Sequence, residues 1–211
     1  MTKLSLRLKA IADLIDDNTK VIDVGCDHAF LDIYLVQKKN CKCLATDVSK
    51  TCILKALENI KKAQLEDKIE TAVTDGLQNV DYNKYDYVVI SGMGFQTIQK
   101  ILMDNYPNKL IIQSNNNIEE LKMFLFQKYK LVNEQVVFEN GIYYVVLYLE
   151  LGEKKYKKED YILVKGNINY INYLLDKYNH IYYKLPKKHI VKKLKLKYKI
   201  KILMKYKKTL I

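Results

Sequence analysis

The sequence predicts a doubly wound α/β domain, a largely parallel sheet covered on both faces, closed by an antiparallel β-hairpin and followed by an antiparallel helical hairpin. Three observations predict it. Short apolar runs alternate with helical patterns as far as Gln113, Asn140-Gly141 separates two long strand-like runs, and beyond Gly152 the apolar residues step by three and four.

Taken in order, Leu4, Leu8, Ile11, Leu14 and Ile15 recur at helical spacing, so an amphipathic helix is expected over 5–15. Residues 20–24 (KVIDV) form a first strand that ends in Gly25, a helix follows over 30–38, and 43–46 form a second strand ending in Asp47. Leu54, Leu57 and Ile60 mark a helix over 50–64, and strands are expected at 69–73, 87–90 and 110–113. The runs 132–138 and 142–151 flank Glu139-Asn140-Gly141, the strongest short signal for a hairpin, and should be antiparallel neighbours. Val164, Ile168, Ile171, Leu175, Tyr178 and Tyr182 make a heptad seam. After Pro186, a second helix carries Val191, Leu194, Tyr198, Ile202, Tyr206 and Leu210 on one side and lysines on the other. The division expected is 1–152 for the sheet domain and 153–211 for a basic helical domain.

With 211 residues, 49% hydrophobic and 28% charged, and only 2 Pro and 7 Gly, the chain can bury a core and is excluded from the disordered class. No apolar run approaches the ~18 residues that span a bilayer, and Arg7, Lys9 and Asp13 interrupt any secretory signal core, so a cytoplasmic, membrane-free protein is expected. Cys26, Cys41, Cys43 and Cys52 match no zinc spacing; they read as reduced thiols used as small hydrophobes, and no metal is expected.

The charge of +12 is unevenly placed. Residues 1–151 carry 18 Lys and Arg against 20 Asp and Glu, whereas 152–211 carry 18 against 4. A basic element beside a near-neutral body is the footprint of polyanion binding, with a membrane surface as the competing partner and Lys-rich codon usage as the bland alternative. Among so many lysines the chain holds one arginine, Arg7. Its planar fork supplies a bidentate contact that lysine cannot.

Chemistry gathers at the strand ends. The first strand-to-helix turn reads Asp23-Val-Gly25-Cys-Asp27-His28-Ala29, and 22 residues beyond Gly25 the second strand ends at Asp47, followed by Val48. A glycine admits a ligand to the backbone at a helix start, and an acid at the next strand tip can accept ribose hydroxyls. One glycine replaces the three of a dinucleotide fingerprint, and Asp27 would repel a pyrophosphate, which disfavours a nicotinamide oxidoreductase. A cationic nucleoside, S-adenosylmethionine, suits these acids better. Asp75-Gly76 at the third strand end offers a carboxylate to an adenine amino group, and Ser91-Gly92-Met93-Gly94 at the fourth brings backbone near the reacting centre.

Together with the terminal hairpin, these loops resemble the Rossmann-like class I methyltransferase fold, whose seventh strand is inserted antiparallel. More closely, Leu4-Ser5-x-Arg7-Leu8, Asp23-x-Gly25-x-Asp27-His28-Ala29, Asp75-Gly76-Leu77 and Gly92-Met93-Gly94 resemble the bacterial tRNA (adenine-22-N1)-methyltransferase family, known as TrmK, over roughly residues 3–150. The resemblance implies methyl transfer from S-adenosylmethionine to adenine N1 in the tRNA D-loop region and a C-terminal coiled-coil-like domain; a monomer is expected. By it, Arg7, Asp23, Gly25, Asp27, His28, Asp47, Val48, Asp75, Gly76, Gly92 and Met93 bind cofactor. Asp27 is the catalytic candidate, with a helix N-cap as its structural alternative. The rivals are a methyltransferase of another RNA position, protein or small molecule, and a non-enzymatic RNA-binding module on the same scaffold.

Overall fold

A computed structural model describes residues 4–210. They fall into two compact units that divide after Lys154.

The first unit is a seven-stranded sheet: β1 (Lys20–Val24), β2 (Lys42–Asp47), β3 (Ile69–Val73), β4 (Tyr87–Met93), β5 (Lys109–Ser114), β6 (Tyr129–Glu139) and β7 (Ile142–Leu151). Its order is β3-β2-β1-β4-β5-β7-β6. β1 to β5 pair in parallel and β7 enters antiparallel between β5 and β6. The β6–β7 turn closes at Asn140 and Gly141, both with positive φ, as the hairpin signal requires. The central strands are buried on both faces: Val21, Ile22, Val88, Val89, Ile90, Leu110, Ile111 and Ile112 are at most 1% exposed. That is why they read as apolar runs without alternation.

Helices α1 (Leu6–Asp13), α2 (Phe30–Lys39), α3 (Lys50–Lys62), α4 (Phe95–Leu102) and α5 (Ile118–Leu125) belong to this unit. Ser5 caps α1 by accepting from the Leu8 N–H, and Ser49 caps α3 by accepting from the Cys52 N–H. The sequence reading had no counterpart for α4 and α5. α4 buries Ile98, Ile101 and Leu102, one stripe over two turns, which is too short to establish a period.

The second unit holds α6 (Lys158–Ile162), α7 (Ile168–Lys184) and α8 (Ile190–Lys207), with α7 packed on α8. The expected seam starts one step late, because the chain leaves helical geometry between α6 and α7 and Val164 lies in that break. α7 buries Tyr170, Ile171, Leu174 and Leu175, whereas α8 buries only Ile202 and Leu203. Val191, Leu194 and Tyr198, which share the apolar side of α8 with Ile202, are exposed. Among the described residues no helix is long and apolar enough to cross a membrane.

Candidate active site

The sheet changes winding direction between β1 and β4, where open α/β sheets bind ligands. A cleft of about 330 Å³ opens there, lined among others by Arg7, Asp23, Gly25, Asp27, His28 and Gly92. This lies in the range of small-ligand pockets, about 300–1,000 Å³.

Gly25 ends β1 with φ +80°, and its N–H and that of Cys26 donate to Thr46 O at 2.8 and 2.9 Å, pinning the turn to β2. A Cβ on Gly25 would meet only the movable end of the Met93 side chain, so it is the left-handed φ that calls for glycine here. Past it the chain alternates: Asp27 has φ +52° and Ala29 φ +58°. Left-handed geometry at two non-glycine residues within three positions is uncommon, and it throws the Asp27 side chain outward. Ala29 is the N-cap of α2 and gives no side-chain cap. Asp27 is therefore not the helix cap that its position suggested. Its carboxylate, 68% exposed, lies 3.5 Å from His28 Nε2. Asn59 of α3 holds the His28 carbonyl at 3.0 Å.

Asp47 ties the tip of β2 to the same turn. Its Oδ1 accepts from the Ser49 N–H at 2.8 Å and its Oδ2 from the Asp27 N–H at 3.4 Å. Asp23, on the central strand between β2 and β4, is 5% exposed. Burial pushes its carboxyl up to about 7, with Asp47 adding to the shift and Asp32 and Arg7 opposing it.

Arg7 reaches in from α1. Its Nη1 donates to Ser91 Oγ at 3.2 Å and to Gln113 Oε1 at 2.9 Å, and the guanidinium lies 5.6 Å from the Tyr144 ring centre. Gln113, wholly buried, also accepts from the Gly92 N–H at 3.0 Å and donates to Asn115 Oδ1 at 3.1 Å; Asn115 in turn donates to the Gly92 carbonyl at 2.6 Å. A closed ring of amides thus grips Gly92, which has φ +77°, by both of its peptide groups. Gln113 and Asn115 escaped the sequence reading as site residues, and Ser91 entered it only as part of the glycine-bracketed loop. Their signal was there: Gln113 is a polar residue ending an apolar run at a strand tip, as Asp47 does.

Asp47, Val48, Asp75, Gly76 and Met93 are not among the residues that line the cleft. Val48 is exposed, Asp75 Oδ2 is paired with Lys100 Nζ at 2.7 Å, and Gly76, with φ +65°, lies under Ile101. The lining adds Cys26 and the exposed ring of Phe30. Burial raises the Cys26 thiol, which suits packing and not nucleophilic work. Among the described residues no three His, Cys, Asp or Glu side chains converge as a metal site.

The residues fit S-adenosylmethionine. The turn is pinned backbone with carboxylates at its mouth, where a phosphate would be repelled and a cationic nucleoside tolerated. Sheet order and cleft define a class I, Rossmann-like methyltransferase, and residues 4–147 match the family model of a methyltransferase domain. The chain is 31% identical over 159 residues to the tRNA (adenine(22)-N(1))-methyltransferase of Bacillus subtilis, covering 72% of this chain and 67% of that protein. It superposes on M. capricolum TrmK, solved with S-adenosylhomocysteine, with a TM-score of 0.86 and 28% identity over 100% of both chains. The B. subtilis m1A22 tRNA methyltransferase structure, 23% identical, shares the fold with a TM-score of 0.85 over 98% of this chain and 99% of that one. The chain belongs to the tRNA (adenine-22-N1)-methyltransferase family, TrmK.

Proposed function

We propose that this chain transfers the methyl group of S-adenosylmethionine to N1 of adenine 22 in the D-loop region of tRNA, acting as a cytoplasmic monomer. The observation that carries the reading is the acid-lined cleft at the β1–β4 switch point in a chain of this family.

In this reading Asp23, Gly25 and Arg7 hold the amino-acid end of the cofactor, Asp47 with Val48 the ribose, and Asp75 with Gly76 the adenine, while Gly92 and Met93 border the transfer point. The bound cofactor supplies an electrophilic methyl on a sulfonium. Neutral adenine N1 carries an in-plane lone pair, so the enzyme's first task is orientation. N1 lies on the pairing edge, and the base must leave its stack to enter; Phe30 offers an exposed ring at the mouth for it to lie against. As N1 gains the methyl, positive charge spreads to the exocyclic amine. The Asp27 carboxylate, beside His28, stabilises that charge or accepts the amine proton. The basic second unit, which begins after Lys154, binds the tRNA body through its phosphates.

Incubation with unmodified tRNA and methyl-labelled cofactor, then nuclease digestion and nucleoside identification, tests the reading. Labelled 1-methyladenosine that disappears when adenine 22 is replaced is the expected result. Label in another nucleoside or in no RNA overturns it.

A further inference from the structure

Asp32, the third residue of α2, is wholly buried, and neither of its carboxyl oxygens meets a hydrogen-bond donor. The side chains it faces are the Cys43 thiol, a weak donor at most, and the carboxyl of Asp23, which is buried too but lines the cleft. Two carboxylates against each other in an apolar setting cannot both stay ionised; a proton held between them satisfies the orphaned oxygen and removes one charge. The groups around the pair decide who keeps it. Arg7 from α1 favours ionised Asp23, Asp47 at the tip of β2 opposes it, and the thiols of Cys26 and Cys43, raised chiefly by burial, stay neutral. Asp32 has no cation beside it and no opening to the cleft. It is the member that keeps the proton.

We propose that Asp32 is a positioning residue that remains protonated and donates to Asp23, so that the pair presents one fixed negative charge to the cationic amino-acid end of the cofactor. This rests on the reading of the cleft as an S-adenosylmethionine site. Only ionised Asp23 then receives the cation, and with its carboxyl raised to about 7 a proton leaves on binding at or below neutrality. Affinity therefore rises with pH through neutrality and levels off above it.

Calorimetric titration of the full chain with S-adenosylhomocysteine, from about pH 6 to about pH 8.5, tests this with two variants. Asp32→Asn stays neutral and still donates, so its affinity at neutral pH is expected within about twofold of wild type. Asp32→Leu removes the donor; the midpoint of its pH profile is expected to move up by about one unit, weakening binding at neutral pH about fivefold and about tenfold near pH 6. A tenfold loss in Asp32→Asn, or an unmoved midpoint in folded Asp32→Leu, overturns the proposal. Should Asp32→Leu fail to fold, the infrared spectrum of the wild type decides: at about pH 8, where exposed carboxyls are ionised, a protonated-carboxyl stretch should persist and vanish in Asp32→Asn. Its absence from the wild type overturns the proposal. Failure of the wild type to bind S-adenosylhomocysteine would instead sink the cofactor reading, leaving the infrared band to report on Asp32.

Discussion

Arg7 Nη1 donates to Gln113 Oε1 at 2.9 Å, joining the opening helix to the buried tip of β5 across 106 residues of sequence. Both of its bonds, to Gln113 and to Ser91, leave from one nitrogen, so the rest of the fork remains for the cleft. Arg7→Lys keeps the charge and loses the fork. The loss of one charge-assisted hydrogen bond is worth about 1.5–3 kcal/mol, so kcat/KM should fall about 10- to 100-fold with the fold intact by circular dichroism. Wild-type kinetics would make the arginine incidental.

Gln113→Leu opens the amide ring and strands the Gly92 N–H. At about 2 kcal/mol for such a loss, the melting temperature should drop by about 4–8 °C, and methyl transfer should suffer more than S-adenosylhomocysteine binding because the β4 tip is no longer held. A melting curve that overlays wild type would show that the ring contributes nothing.

Asp27→Asn should lower kcat with little change in KM, because the carboxylate is invoked for charge that appears during transfer. Single-turnover methylation at saturating substrates is the measurement. A rate within about threefold of wild type, under 1 kcal/mol in the barrier, would leave Asp27 as part of the turn and catalysis to positioning.

With 18 lysines against 4 acids beyond residue 151, tRNA affinity should fall steeply with salt, by about 0.7 to 0.9 in log K per log unit of salt for each phosphate neutralised. Cofactor affinity should stay level over the same range. A flat tRNA response would return the lysines to codon usage.

The raised carboxyls of Asp23 and Asp32 also predict a trend in stability. A carboxyl whose folded value lies above its unfolded value of about 3.9 holds its proton in the native state while the unfolded chain has released it, so its contribution falls as pH rises from about 4 toward the folded value. For Asp23 that window closes near 7, and Asp32, raised well above the ordinary carboxyl value by burial, adds to the same trend. Asp32→Asn removes one such dependence, and its melting temperature relative to wild type should climb as pH is raised from about 5 to about 8. A constant offset would mean that Asp32 is ionised in the native protein.

The sequence by itself determined the strands of the sheet, the Asn140-Gly141 hairpin and the strand-tip acids and glycines, because each depends on neighbours within a few residues. A buried strand is an apolar run, a left-handed turn selects Asn or Gly, and the chemistry of an α/β fold collects where such runs end. Only the tertiary structure decided which groups meet. Arg7 lies far in sequence from Ser91 and Gln113, and Asp32 reads as an ordinary first-turn acid until α2 packs its carboxyl against Asp23 in the core. On α8 the pattern told which residues share a side and not whether anything covers it, so Val191, Leu194 and Tyr198 are exposed although they follow the same spacing as buried Ile202. Periodicity is a property of one segment, whereas burial, and the charge state that burial imposes, belongs to everything packed around it.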